Sequence, residues 1–246
     1  MATDSPALML NEMPFRIESS LSLLITDLVI FSTLMMDSLM IKFVSLLFTV
    51  VFSLIVSCTA HSNPTDHNNT LLIIGDSLSA GYKMPVEKSW PILLLPLLAP
   101  NITVINASIS GDTTGNGLAR LPALLTQHQP DYVLIELGAN DGLRGFSPTI
   151  INNNLIAMID SVKANNAQPL LMQIQVPTNY GKRYGQAFYQ IYPTLSRQKN
   201  IELVPFFLEH VITKPEWMMD DGLHPNELAQ PWIAEFMATE LSKRVK

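Results

Sequence analysis

The sequence predicts an α/β domain, a three-layer α/β/α sandwich built on a five-stranded parallel sheet. Three observations predict it. Short apolar runs alternate with amphipathic stretches from residue 71 to the end, the first run "LLII" at 71–74 is apolar at every position, and the runs give way to turn formers such as "GDS" and "GAND". A strand covered on both faces loses the in-out alternation of a half-exposed one, and such cover belongs to parallel sheets. Strands interleaved with helix-length segments also imply crossover connections.

The strands are expected at 71–75, at 102–107 ("ITVINA"), at 131–138 ("DYVLIELG"), at 169–175 ("PLLMQIQ") and at 201–206 ("IELVPF"). Helical stretches fall between them, at 88–99, 114–128, 148–165 and 184–199, and a last helix starts near Asn226 and runs to the end. Within 114–128, Leu118, Leu121, Leu124 and Leu125 share one face, as an amphipathic helix requires. Nothing repeats, and no second linker divides residues 71–246, so they read as one domain.

The segment before this domain reads differently. Residues 40–60, "MIKFVSLLFTVVFSLIVSCTA", have the layout of a secretory signal peptide: one positive charge at Lys42, an apolar stretch, then small residues. Two endings fit, an ordinary cleavage after Ala60 or a lipobox-like "IVSC" that would place a lipid on Cys58, the sole cysteine of the chain. A single cysteine allows no internal disulfide, so an exported fold must rest on its core. Residues 1–39 read as an over-extended start or leader, since Met35, Met36 and Met40 offer later starts and a first apolar helix near 21–34 would be interrupted by Thr26 and Asp27. Residues 61–70, "HSNPTDHNNT", read as a linker.

Composition narrows the function classes. With 48% hydrophobic and 15% charged residues the chain is globular, and a formal net charge of -6 without a Lys/Arg run speaks against nucleic acid as a partner. No Cys/His cluster has metal-ligand spacing, and "GNG" at 115–117 lacks the lysine of a phosphate loop, so no cofactor is expected.

Ligands of open parallel sheets bind beyond the carboxyl ends of the strands. Read in that order, the loops deliver Ser77 after the first strand, Gly111 in "NASISGDTTGNG" after the second, Asn140 in "GAND" after the third, and Asp221 with His224 in "DDGLHPN" after the fifth. These are the parts of acyl transfer. A hydroxyl becomes a nucleophile when an imidazole takes its proton, and a carboxylate holds the imidazole in the useful tautomer. Ser77, His224 and Asp221 fit those roles, although the adjoining Asp220 could also face the imidazole. The N–H of Ser77, the N–H of Gly111 and the amide of Asn140 could form the oxyanion hole, with Gly111 small so that its backbone can approach. Ser77 could instead cap a helix, and Asp76 and Asp112 read as hydrogen-bond partners of their own loops. A Gly-x-Ser-x-Gly elbow is excluded by Ser79.

The stretches "GDSLSAGY", the Gly111 loop, "GAND" and "DGLHPN" resemble four blocks of the SGNH or GDSL hydrolase family, over residues 71–240. The longer matches "GDSLSAGYKMPVEKSWP", "SGDTTGNGLARLP" and "IELGANDGLRG" are similar to its bacterial periplasmic branch, which includes arylesterase, acyl-CoA thioesterase and lysophospholipase. The resemblance implies a flavodoxin-like fold, catalytic Ser77, Asp221 and His224, an oxyanion hole of Ser77, Gly111 and Asn140, a small acyl ester or thioester substrate, and a periplasmic enzyme. A carbohydrate O-deacetylase and a noncatalytic binding module are the alternatives. The loops "GLRGFSP" and "VPTNYGKRYG", with Tyr180, Tyr184, Arg144, Lys182 and Arg183, are expected to border the groove or to pack against each other.

Overall fold

A computed structural model describes residues 24–36, 40–43 and 68–245. The chain divides into two units, Met1–Thr65 and Asp66–Lys246. In the first, helix α1 (Leu24–Phe43) is long and apolar enough to cross a membrane by length and composition. It runs through Thr26 and Asp27, where the sequence suggested an interruption. Hydroxyls cost a helix little when they bond backward, and Ser32 and Thr33 both donate to the Val29 carbonyl. Most of the expected signal segment, and Cys58 with it, lies outside the described residues.

The second unit is the expected sandwich. Its elements run β1 (Asn69–Gly75), α2 (Ser77–Ala80), α3 (Trp90–Leu93), β2 (Ile102–Asn106), α4 (Thr114–His128), β3 (Tyr132–Glu136), α5 (Ala139–Leu143), α6 (Pro148–Ala164), β4 (Gln168–Met172), α7 (Lys182–Lys199), β5 (Glu202–Val204), α8 (Leu208–Val211) and α9 (Gln230–Leu241). The five strands are parallel in the order β2-β1-β3-β4-β5, the flavodoxin-like arrangement. Right-handed crossovers put the helix after β1 on one face and those after β2, β3 and β4 on the other. Accordingly α3 packs on α9, while α4, α6 and α7 pack side by side.

Burial explains the uninterrupted apolar runs. Leu71, Leu72, Ile73 and Ile74 of β1 and Val133, Leu134 and Ile135 of β3 have no exposed surface. Each such side chain contributes about 1.5–3 kcal/mol relative to exposure. Helix α4 starts where Thr113 caps it by accepting from the Asn116 N–H, and it turns Leu121 and Leu125 inward. The expected helix at 88–99 is shorter, because Pro96 follows α3 and only a 3-10 turn, Leu95–Leu97, continues it.

Register sets the height of the site. Gly75 pairs with Glu136, so β1 and β3 end level and their loops leave side by side at the point where the strand order reverses. Strand β2 ends lower, with Asn106 opposite Ile73. Its loop climbs along β1 through Ala107 N–H to Ile73 O and Ile109 N–H to Gly75 O, two residues before Gly111.

Candidate active site

Ser77 is the first residue of α2, and the cap is its neighbour: the Asp76 carboxylate accepts from the Leu78 N–H at 3.0 Å. The capping role considered for Ser77 therefore belongs to Asp76, which leaves the Ser77 hydroxyl half-buried and free to face the groove. Its Oγ lies 2.9 Å from His224 Nε2, and His224 Nδ1 lies 2.8 Å from Asp221 Oδ2. Ser77 and His224 are 147 residues apart in the chain and meet in hydrogen-bond contact.

Asp221 and His224 share a hairpin-like turn. Met218 and Pro225 form an antiparallel bridge, Met219 N–H donates to His224 O, and Asn226 N–H donates to Trp217 O. Asp221 also accepts from the Leu223 and His224 backbone N–H groups, so one carboxylate organises the turn and holds the imidazole. That resolves the pair of adjacent aspartates in favour of Asp221. Partial burial pushes its pKa up, but these N–H donors and the His224 ring outweigh burial and hold it at about 2. On its open side the imidazole packs against Tyr82, with ring centroids 4.3 Å apart, a contact the sequence reading did not anticipate.

Behind the hydroxyl lies a buried acidic platform. Asp76 and Glu136 have no exposed surface. Glu136 accepts from Ser79 Oγ at 2.7 Å and from the Asp76 N–H at 3.3 Å. Burial raises Asp76 to about 7, against the opposing Leu78 and Asn140 donors, and burial together with the neighbouring Asp76 holds Glu136 well above the ordinary carboxylate range. Asp141 accepts from the Thr114 N–H and hydroxyl, and burial raises it as well.

Asn140 and Gly111, two of the expected oxyanion donors, are held in different ways. Asn140 sits in the first turn of α5, whose N-cap Gly138 has φ +124°, and a Cβ on Gly138 would lie 2.0 Å from the Tyr192 hydroxyl. The Asn140 amide donates to Asp76 Oδ2 and to Asp112 O, both at 3.0 Å, so both of its hydrogens are engaged. Gly111 has φ +86°, and a Cβ on it would meet nothing within 4 Å. That positive φ is a backbone conformation that favours glycine.

A groove of about 600 Å³ opens at Ser77 and His224. It runs past Asn140 toward the ends of β4 and β5 between Leu143, Val176, Pro177, Phe206, Leu208 and Ile212, with Gln175 and Glu209 joined by a hydrogen bond on its wall. The walls after β5 were not foreseen, although "PFFLEHVI" at 205–212 is apolar enough to have signalled them. Tyr180 and Tyr184 do not line it; they donate to Leu143 O and Phe146 O and brace the loops. Arg144 reaches Gly111 O, and Lys182 and Arg183 are not in the lining. A cavity of similar size, about 590 Å³, lies among Asn69, Asp131, Gln168 and Glu202 at the opposite sheet edge and contains no serine, cysteine or histidine. Among the described residues no three His, Cys, Asp or Glu side chains converge as metal ligands.

Known proteins are similar to this chain in sequence and fold. The sequence profile of the GDSL-like lipase/acylhydrolase family matches residues 73–230. The chain is 66% identical over 178 residues to an arylesterase of Vibrio mimicus, spanning 71% of this chain and 89% of that one. It is 57% identical over 177 residues to thioesterase 1/protease 1/lysophospholipase L1 of Escherichia coli K12, spanning 72% of this chain and 85% of that one. Among solved structures, the psychrotrophic esterase EstA from Pseudoalteromonas sp., inhibited by monoethylphosphonate, superposes with a TM-score of 0.69 at 45% identity over 71% of this chain and 97% of its own. Fold and sequence agree, and the chain belongs to the GDSL-like lipase/acylhydrolase family.

Proposed function

We propose that this protein is a serine esterase and thioesterase that hydrolyses carboxylic esters and acyl thioesters, lysophospholipids among them, through an acyl-enzyme on Ser77. The observation that carries the reading is the unbroken contact from Ser77 Oγ to His224 Nε2 and from His224 Nδ1 to Asp221. His224 takes the hydroxyl proton as Oγ bonds to the acyl carbon, and Asp221, ionised at about pH 2 and above, balances the imidazolium. The tetrahedral oxyanion accepts from the Ser77 and Gly111 N–H groups and from Asn140, whose amide shares one hydrogen away from Asp76 or Asp112 O. Collapse breaks the bond to the alcohol or thiol, which leaves with the proton from His224. Water then repeats the sequence on the acyl-enzyme, releasing the acid and restoring Ser77.

The apolar groove supports an acyl chain in preference to an acetyl group alone, and the relatives named arylesterase and lysophospholipase support the same class. Residues 71–246 form the hydrolase domain in this reading. Helix α1 is compatible with a signal peptide, and we place the mature enzyme in the periplasm, released at Ala60 or held by a lipid on Cys58. Hydrolysis of a p-nitrophenyl ester by Ser77→Ala tests the function: turnover falls by about 10⁴-fold or more. Near-normal hydrolysis by the purified variant would overturn it.

A further inference from the structure

A single guanidinium crosses the loop that carries Gly111. Arg120, on the second turn of α4, donates from Nε to Asp112 Oδ2 at 2.7 Å and from Nη1 to Ala107 O at 2.5 Å, and its Nη2 reaches Gly75 O at 3.5 Å. One planar group thus joins the start of the loop, its end, and the last residue of β1, two positions before Ser77. The ion pair is sheltered, with the Arg120 side chain 21% and the Asp112 side chain 8% exposed. A Cβ on Gly111 would meet nothing within 4 Å, and the backbone around it is tied by hydrogen bonds, Ile109 N–H to Gly75 O and Asp112 N–H to Ile109 O among them. The Arg144 bond to Gly111 O comes from an exposed side chain, and the Asn140 bond to Asp112 O comes from the amide that shares a hydrogen with substrate in the proposed reaction.

We propose that Arg120 is a positioning residue for the reaction, holding the Gly111 N–H where the oxyanion forms; this rests on the oxyanion hole proposed above. Donors stabilise a developing charge only when they are oriented before it appears. A guanidinium can serve a carboxylate and two carbonyls at fixed angles, whereas an ammonium on a flexible stem reaches fewer of them. Arg120 touches neither substrate nor nucleophile, so its loss acts on turnover and leaves ground-state binding in the groove intact.

The test compares Arg120→Gln, Arg120→Lys and Asn140→Ala with the unaltered full chain on p-nitrophenyl butyrate, with thermal unfolding of each. Arg120→Gln is expected to lower kcat about 10- to 100-fold with KM within about twofold, and Arg120→Lys to fall between it and the parent. The rate of fluorophosphonate labelling falls with kcat, because the phosphonyl oxygen enters the same hole. A folded Arg120→Gln with kcat within about twofold of the parent, or with its whole loss in KM, overturns the proposal. Should Arg120→Gln not fold, Asp112→Asn removes the ion pair and spares both carbonyl contacts, with the same split expected. Asn140→Ala separates the two readings, since it loses about 10²- to 10³-fold if the hole is real. Full activity in both Asn140→Ala and Ser77→Ala would bring down the active-site reading itself, whereas full activity in Arg120→Gln alone removes only the role of Arg120.

Discussion

Asp76, next to Ser77 in the chain, and Asp221, bonded to His224, are two carboxylates with opposite surroundings. Asp76 is fully buried behind the nucleophile and lies at about 7, while Asp221 is one-third exposed at the tip of a turn and lies at about 2. Both accept two or more hydrogen bonds, so donor count does not separate them. Burial does, together with the like charge of buried neighbours. The sheet edge thus supplies a rigid, electrostatically costly platform, and the 217–226 turn supplies a charge that solvent helps to stabilise. A site assembled in this way places its buried carboxylates where packing can hold them, and the Asp221 charge where backbone N–H groups and the imidazole keep it ionised.

Removing groups on the exposed side breaks the comparison most severely. His224→Ala should lower kcat on a p-nitrophenyl ester by about 10⁴-fold or more, and Asp221→Asn by about 10³- to 10⁴-fold, in steady-state assays at neutral pH. The smaller loss is expected at Asp221 because water can reach its position. If Asp221→Asn lost nothing while Asp220→Asn did, the placement of the turn would be wrong.

On the buried side the expected signature is stability against pH. A native Asp76 at about 7 retains a proton that the unfolded chain, near 3.8, has released, so the native state binds more protons between those values and stability falls as pH rises through them. Asp76→Asn removes this group and should narrow the stability difference between pH 5 and pH 8 in urea titrations. An unchanged difference would show that Asp76 titrates normally. The smallest effect belongs to Tyr82, whose ring supports the imidazole: Tyr82→Ala should cost about 2- to 10-fold in kcat, the range of an aromatic pair contact. A loss as large as that of His224→Ala would mean that Tyr82 does more than pack.

The strands were readable from sequence because parallel strands here are buried on both faces, so Leu71–Ile74 and Val133–Ile135 announce themselves without an amphipathic period. The long helices were readable from their length and from apolar spacing; α4 occupies the expected 114–128, and α6 matches the expected stretch to within one residue. The four-residue α2 and α8 and the five-residue α5 were not, since one turn of helix has no period to detect and depends on tertiary packing. At the site, residues set by chemistry were legible, because a hydroxyl, an imidazole and a carboxylate at successive strand ends fit one reaction. Residues set by geometry were not. Tyr82 beneath the imidazole, Arg120 across the Gly111 loop and the groove walls after β5 depend on how loops fold over the sheet edge, and no local pattern encodes that.

The central claim, that Ser77 is activated by His224, is tested most directly by mapping the adduct formed with a fluorophosphonate probe. The account predicts one adduct per chain on the peptide containing Ser77, abolished in His224→Ala. Modification of another serine, or labelling of Ser77 at an undiminished rate in His224→Ala, would contradict it.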